Sequence, residues 1–154
     1  MPELLRLEHF GFTYPQQPCP ALADVSLTVR QGEFWVLCGA SGCGKTTLLR
    51  QLKPALRPHG AAEGRILFDG QPLDDLPPHR QAADIGFVLQ SPEEQTVTDK
   101  VWHELAFGLE SLGCDTPSIR RRVAEMASFF GIQDWFHRKV DELSGGQKQL
   151  LALA

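Results

Sequence analysis

Apolar and polar residues alternate along the first thirty positions, which is the period-two pattern of β-strands. The alternation predicts two faces for the first strand. One carries Leu5, Leu7, His9, Gly11 and Thr13, and the other carries Glu8, Phe10, Phe12 and Tyr14. After a turn bounded by Pro15 and Pro20, Val25, Leu27 and Val29 repeat with the same period. The pattern therefore predicts a pair of strands at the N-terminus.

Two later segments are apolar without alternation. The run from Phe34 to Cys38 is typical of a strand covered on both faces, and residues 84–89 predict a second buried strand. Residues 65–70 predict a strand that ends in a turn at Asp69-Gly70. Positions 45 to about 53 predict a helix, which Pro54 closes because proline cannot continue it.

The character of the chain changes from Thr98 onward, where the apolar period becomes helical. Val101, Leu105 and Leu109 recur at intervals of four residues. Thr116 followed by Pro117 predicts the N-cap and first position of a second helix. The apolar stripe of that helix consists of Val123, Met126, Ala127 and Phe130.

Composition adds the broad class. The 154 residues are 42% hydrophobic and 22% charged, which is typical of a globular domain. The net charge of −4 argues against general nucleic-acid binding. No apolar run approaches the roughly 20 residues of a membrane helix, and the N-terminus lacks a signal-peptide pattern. The four cysteines have no C-x-x-C spacing, so we expect reduced thiols and no zinc site.

The segment that carries most of the chemistry fits the phosphate-loop pattern G-x-x-x-x-G-K-[ST] (Walker A). It reads Gly39-Ala40-Ser41-Gly42-Cys43-Gly44-Lys45-Thr46, between a predicted strand and a predicted helix. Glycines let the backbone N–H groups of residues 41–46 turn toward anionic oxygens, and the helix N-terminus adds partial positive charge. Lys45 can reach the β- and γ-phosphates, Thr46 can bind Mg²⁺, and Thr47 completes the predicted nucleotide site. The alternative is a glycine-rich turn with a solvated lysine.

A second informative stretch is Leu143-Ser144-Gly145-Gly146-Gln147. Ser144 and Gln147 have the spacing of a capping box, which could begin any helix. Two glycines in the first turn of a helix are costly for a cap alone. They are useful where a phosphate must approach the helix N-terminus closely.

Together, the phosphate loop, Gln90 at the end of an apolar segment, and Leu143 to Gln147 resemble the ATP-binding cassette (ABC) ATPases. The resemblance covers essentially the whole chain. It implies an α/β fold of the P-loop NTPase type, with an N-terminal antiparallel β subdomain, an incomplete RecA-like parallel core and an inserted helical subdomain. The expected boundaries are 1–95 for the β subdomain and core, 96–142 for the helices, and 143–154 for the signature motif and its helix.

The resemblance also assigns site residues. Tyr14 corresponds to the aromatic that stacks on adenine; the alternative is a strand-edge tyrosine packed on Phe12. Gln90 corresponds to the glutamine that reaches Mg²⁺ and the attacking water and senses the membrane subunit; the alternative is a purely local role. Ser144, Gly145 and Gly146 would contact the ATP held by a second ABC ATPase subunit, identical or not.

Residues 90–95 and 101–108 look most like the energy-coupling factor type, whose cassettes drive uptake of vitamins or of cobalt and nickel. Residues 91–115 have a net charge of −5, contributed by Glu93, Glu94, Asp99, Glu104, Glu110 and Asp115 against Lys100. The resemblance implies an integral membrane subunit as partner and a peripheral location at the cytoplasmic face of the membrane, and an acidic patch would suit arginines of that subunit. We expect no nucleic-acid partner. A solvated acidic helix face is the alternative.

Other assignments remain open at this stage: another ABC importer or exporter, a non-transport soluble ABC protein, a phosphate-loop kinase or GTPase, and an inactive binding module. The family's Asp-Glu strand end and switch histidine would follow the signature helix, so we expect a truncated chain. By itself it should bind nucleotide weakly and hydrolyse almost none. We also expect apolar surface around Val36, Val88 and Leu150 to lack a partner.

Overall fold

The computed structural model of the chain describes residues 2–91 and 94–154, which form two compact units, Met1–Ile85 and Gly86–Ala154. The first unit contains β1 (Glu3–Thr13), β2 (Leu22–Arg30), α1 (Lys45–Gln51), β3 (Ala61–Phe68), β4 (Gln71–Pro72) and α2 (Pro78–Asp84). The second contains α3 (Val101–Ser111), α4 (Thr116–Phe130) and α5 (Gly145–Leu153).

The sheet of the first unit has the strand order β2-β1-β3-β4, and its neighbouring strands are antiparallel. The predicted N-terminal strand pair is confirmed, with Leu7 opposite Leu27 on one side. β3 and β4 form a hairpin around Asp69 and Gly70, whose φ angles are 49° and 76°. Two positive φ angles are what a two-residue hairpin turn of type I′ requires.

A β-bulge at His9 changes the predicted faces of β1. His9 has φ 49°, and the pairing register shifts here against both neighbouring strands. A one-residue shift exchanges the two faces of a strand. Leu7 before the bulge and Phe10 and Phe12 after it are therefore all buried. The prediction that Leu7 and Phe12 lie on opposite faces was wrong, because strict alternation takes no account of a bulge.

The core of the first unit lies between this face of the sheet and α1. Its buried members are Leu7, Phe10, Phe12, Leu22, Leu48, Ile66, Phe68, Leu73 and Leu76. Leu48 is the contribution of α1, so burial of this one side chain, worth about 1.5–3 kcal/mol, helps to fix the helix on the sheet. Lys53 donates to the backbone oxygens of Gln81 and Ile85 at the end of α2, and its burial lowers the pKa of its ammonium.

The two segments predicted as buried strands are not strands. Residues 33–40 and 85–89 have no assigned secondary structure. Phe34 is 91% exposed and Val36 is 69% exposed, and Val88 is also exposed. A strand needs a neighbour to satisfy its N–H and C=O groups, and neither segment pairs with a strand among residues 2–91 and 94–154. The expected lack of cover at Val36 and Val88 is confirmed, whereas Leu150 is half-buried and packs on the second core.

In the second unit the three helices pack around two clusters of buried side chains. Val101, Ala127, Ile132, Val140, Leu143 and Leu151 form the first, and Ala106, Ile119 and Val123 form the second. Of the stripe predicted for α4, Val123 and Ala127 are buried and Phe130 is half-buried, but Met126 is exposed. No helix in the described ranges is long and apolar enough to cross a bilayer.

The N-cap of α4 is Asp115, one residue before the predicted Thr116. The Asp115 carboxylate accepts the backbone N–H of Ser118 at 3.1 Å. Hydrogen bonds from the Ser118 side chain and backbone lower the pKa of Asp115 below its ordinary value of 3.8. The helix ends at Gly131, which adopts the left-handed conformation with φ 67°.

We expect Asp115→Asn to reduce the pH dependence of stability in acid. A carboxyl whose folded-state pKa is lowered stabilises the fold above its unfolded pKa, and this contribution disappears as the pH falls through the folded pKa. Asparagine caps without titrating, so the difference in stability between the wild type and this variant should shrink below about pH 4. Urea unfolding at pH 6 and pH 3 measures it, with Asp115→Ala as the control that loses the cap at both. A constant difference would contradict this account.

Candidate functional site

The phosphate loop occupies residues 39–44 and leads directly into α1 at Lys45. Gly42 and Gly44 have φ angles of 80° and 92°, which glycine adopts without strain. A Cβ at Gly44 would also lie 2.8 Å from the backbone oxygen of Ala21. Glycine is therefore required at position 44 for two reasons: the backbone conformation there, and the close approach of the Ala21 backbone.

Lys45 folds its side chain back over this loop. Its Nζ donates to the backbone oxygens of Gly39 at 2.8 Å and Ala40 at 2.7 Å, and lies 3.6 Å from Cys43 Sγ. The ammonium is thus positioned at the mouth of the loop, where the first N–H groups of α1 also have no partner within the helix. An anion at this position would meet a full positive charge together with backbone donors.

The residues present fit a triphosphate with Mg²⁺. A Cβ at Gly39 would come within 2.7 Å of Cys43 Sγ, so the backbone approaches too closely for a larger residue. The Thr46 side chain lies in the first turn of α1 and is exposed, so its hydroxyl is available to a cation. One N–H of the predicted donor segment is already used, because Cys43 donates to Ala40 at 3.3 Å.

Tyr14 is held against the start of α1. Its hydroxyl lies 3.0 Å from Thr47 Oγ1, and its ring packs edge-on against Phe12 with a centroid distance of 4.9 Å. The packing on Phe12 that we considered from the sequence is therefore present. The same contacts place the half-buried ring beside α1, the helix that follows the phosphate loop. Thr47 of this helix is also predicted to bind nucleotide.

Gln90 lies in the second unit, directly after residues 85–89, which have no assigned secondary structure, and it is exposed. The preceding residue, Leu89, is held by the side chain of Gln95, which belongs to the 90–95 stretch noted above but was given no role of its own. Gln95 Oε1 accepts the N–H of Leu89 at 2.9 Å, and Gln95 Nε2 donates to Phe87 O at 3.2 Å. Only the spacing of five residues between the two glutamines could have drawn attention to Gln95.

The signature segment forms the capping box that its spacing predicts. Ser144 Oγ accepts the N–H of Gln147 at 3.3 Å, and Ser144 N–H donates to Gln147 Oε1 at 2.9 Å. Leu143 is buried and fixes the start of the helix in the core. Gly145 and Gly146 are exposed, and a Cβ at either would meet nothing within 4 Å. Packing inside the described chain therefore does not explain these two glycines.

The acidic stretch at 91–115 is less open than its charge indicates. Glu104 is half-buried, and its carboxylate accepts the N–H groups of Val97 and Thr98. Asp99 lies 3.7 Å from the ring of His103. Pro92 and Glu93 lie outside the described residues. Within the part of the chain that is described, no three His, Cys, Asp or Glu side chains cluster in a way that could hold a metal.

Comparison with known proteins agrees with these features. Residues 22–154 match the family model described as ABC transporter. Over 148 residues, the chain is 47% identical to a putative ABC transporter ATP-binding protein of Bacillus cereus, covering 96% of this chain and 27% of that protein. It is 36% identical to the cobalt import ATP-binding protein CbiO of Syntrophus aciditrophicus, covering 98% of this chain and 53% of that protein.

A third relative is the energy-coupling factor transporter ATP-binding protein EcfA1 of Lacticaseibacillus paracasei, which is 36% identical to this chain. The match covers all of this chain and 54% of that protein. Among solved structures, CbiO1 of Clostridium perfringens, described as part of the ABC transporter complex CbiONQ, matches with a TM-score of 0.85 and 27% identity. The match covers 99% of this chain and 60% of that one. This chain thus spans between about a quarter and somewhat over half of the proteins it resembles. The family match and these identities together establish that the chain belongs to the ABC transporter family.

Proposed function

We propose that this chain is the nucleotide-binding part of an ATPase subunit that powers an ABC importer. The observation that carries the proposal is the loop at residues 39–44, with Lys45 Nζ held 2.7–2.8 Å from its carbonyl oxygens at the start of α1. Because the chain belongs to the ABC transporter family, we take ATP as the nucleotide that this loop binds. Bound Mg·ATP supplies the phosphoanhydride bond whose hydrolysis drives transport.

Each residue of the site has a separate task in this proposal. The backbone N–H groups of residues 41–46, apart from that of Cys43, hold the phosphate oxygens, and Lys45 exchanges its loop carbonyls for the β- and γ-phosphates. Thr46 binds Mg²⁺ through its hydroxyl. We assign to Gln90, whose side chain is exposed, the orientation of the attacking water.

The signature segment acts on a partner. Gly145 and Gly146 leave the N-terminus of α5 open, so that a phosphate held by a second cassette can approach the N–H groups of the first turn. Ser144 is preorganised for this contact by its bond to the Gln147 amide. In this arrangement the two cassettes complete each other's nucleotide sites.

Length supports one feature of that partner. The matched residues make up 27% of the Bacillus cereus protein but 53% of the Syntrophus aciditrophicus one, so the former is about twice as long. The additional length is sufficient for a second cassette. We infer that the partner cassette belongs to the same polypeptide in proteins of this subgroup, and to a separate subunit in the shorter ones.

The transport system we propose is of the energy-coupling factor type. The names of two relatives, a cobalt import protein and an energy-coupling factor protein, agree with the pattern at residues 90–95 and 101–108. Uptake of vitamins or of cobalt or nickel is the corresponding substrate range. The cassette would sit at the cytoplasmic face of the membrane, with exposed acidic residues of the stretch 91–115, such as Glu94 and Asp99, facing an integral membrane subunit.

The test is Mg·ATP turnover by the whole polypeptide, purified with its membrane subunit. We expect steady phosphate release, two ATP bound per polypeptide if the cassettes are joined, and co-purification of an integral membrane protein. Turnover is measured on the whole polypeptide because this chain spans only 27% to 54% of the curated relatives named above. Tight binding of GTP with no binding of ATP would contradict the proposal.

The role of Tyr14 can be separated from its hydrogen bond. Tyr14→Phe removes the contact with Thr47 Oγ1 but keeps the ring, so the Kd for ATP should change by less than about threefold. Tyr14→Leu removes the aromatic face, and loss of base stacking worth about 1–3 kcal/mol should raise the Kd by roughly five- to a hundredfold. Titration with a fluorescent ATP analogue measures both. Equal effects of the two substitutions would assign Tyr14 to structure alone.

A further inference from the structure

Two side chains, those of Gln95 and Glu104, form hydrogen bonds with the backbone before and after Gln90. Gln95 uses both ends of its amide on the backbone before Gln90: Oε1 accepts Leu89 N–H at 2.9 Å and Nε2 donates to Phe87 O at 3.2 Å. These are the two bonds that a neighbouring β-strand would make with this segment. Gln95 therefore fixes the residue immediately before Gln90.

Glu104 holds the next part of the chain to α3. Its Oε2 accepts the N–H of Thr98 at 2.8 Å and lies 2.8 Å from the Thr98 hydroxyl, and its carboxylate lies 3.2 Å from Val97 N. Glu104 is itself fixed in the first turn of α3, where its N–H donates to Lys100 O at 3.0 Å. Hydrogen bonds to a carboxylate are about twice as strong as neutral ones, so residues 97–98 are held tightly to α3.

We propose that Gln95 and Glu104 are positioning residues that tie the orientation of Gln90 to helix α3. The connection runs from α3 through Glu104 to residues 97–98, and through Gln95 to Leu89, the neighbour of Gln90. This inference rests on the proposed function, because it takes Gln90 as the residue that orients the attacking water. A membrane subunit that displaces α3 would then change the rate of hydrolysis without touching the phosphate loop.

The test is a double-mutant cycle in the whole polypeptide with its membrane subunit. Gln95→Met preserves the length of the side chain and removes both hydrogen bonds, so we expect kcat for Mg·ATP to fall about three- to tenfold. The KM for ATP should change less than twofold, because the nucleotide is held by residues 39–46. On a Gln90→Ala background, Gln95→Met should change kcat less than twofold, because it acts through Gln90.

A matched control and a second variant keep the result interpretable. Gln133→Met makes the same chemical change at an exposed position and should leave kcat unchanged. Gln95→Glu keeps an acceptor for Leu89 N–H but loses the donor to Phe87 O, so its kcat should fall between those of the wild type and Gln95→Met. Glu104→Gln should likewise lower kcat with KM for ATP unchanged.

Amide hydrogen exchange provides a readout that does not depend on ATP turnover. We expect Gln95→Met to accelerate exchange of the Leu89 amide, and Glu104→Gln that of the Thr98 amide, by at least fivefold each. Unchanged exchange at these amides would overturn the positioning inference. So would a fall in kcat caused by Gln95→Met that is as large on the Gln90→Ala background as in the wild type. A wild-type polypeptide that binds no ATP and releases no phosphate would instead overturn the proposed function, and with it the role of Gln90.

Discussion

Lys45→Ala is expected to weaken ATP binding by roughly ten- to a hundredfold and to abolish measurable turnover of the whole polypeptide. The ammonium is the full positive charge at the mouth of the phosphate loop, and hydrogen bonds from a charged donor contribute about 1.5–3 kcal/mol. The substitution also removes the two bonds to Gly39 O and Ala40 O that hold the loop in its present shape. Affinity is measured with a fluorescent ATP analogue and Mg²⁺.

The matched control is Arg50→Ala on the same helix. Arg50 is exposed in the last turn of α1, so its loss removes one positive charge at a distance from the loop. Its effect on the Kd for ATP should stay within about twofold, because exposed charges are screened by salt. If both substitutions weakened binding equally, general electrostatic attraction would explain the result, and the specific role of Lys45 would be wrong.

Gly64→Ala is expected to cause a large loss of stability in the first unit. Gly64 lies in β3 opposite the bulge of β1, with φ 78°. A Cβ there would lie 2.4 Å from His9 O and 2.5 Å from Glu8 O, and these backbone atoms cannot move without breaking the sheet. Steric overlap is added to the cost of a left-handed alanine, which is about 1–2 kcal/mol.

Gly70→Ala separates these two costs. Gly70 has nearly the same φ, 76°, but a Cβ there would meet nothing within 4 Å. This variant should therefore lose only about 1–2 kcal/mol, and Gly64→Ala at least twice as much. Thermal and urea unfolding followed by circular dichroism measures both. Equal losses would mean that the close approach at the bulge has no energetic weight.

The elements that short-range patterns define were predictable. Lys45, the glycines before it and Pro54 after it predicted α1 and its end, because capping, left-handed glycines and proline act within one turn. The capping box of Ser144 and Gln147 was recognised for the same reason. The N-cap of α4 was displaced by one residue, since Asp115 and Thr116 are both good caps and the sequence does not decide between them.

The two exposed segments that were predicted as buried strands differ from that prediction for a physical reason. An apolar run such as Phe34 to Cys38 encodes only a preference for burial and extended backbone. Whether it becomes a strand depends on a neighbour that supplies hydrogen bonds and on layers that cover both faces. Such a neighbour is not found among residues 2–91 and 94–154, so the same residues have no regular secondary structure and are exposed.

By itself, the sequence determined which residue types lie together in the phosphate loop and in the signature segment: a glycine-rich turn with a lysine and a hydroxyl, and a serine followed by two glycines. These features are local, because each depends on residue types within a few positions of one another. Only the tertiary structure decided that His9 forms a bulge against Gly64, that Tyr14 meets Thr47, and that Gln95 and Glu104 hold the chain around Gln90. Contacts of this kind depend on how distant or irregular segments pack against each other. The periodicity of apolar residues in the sequence carries no information about that packing.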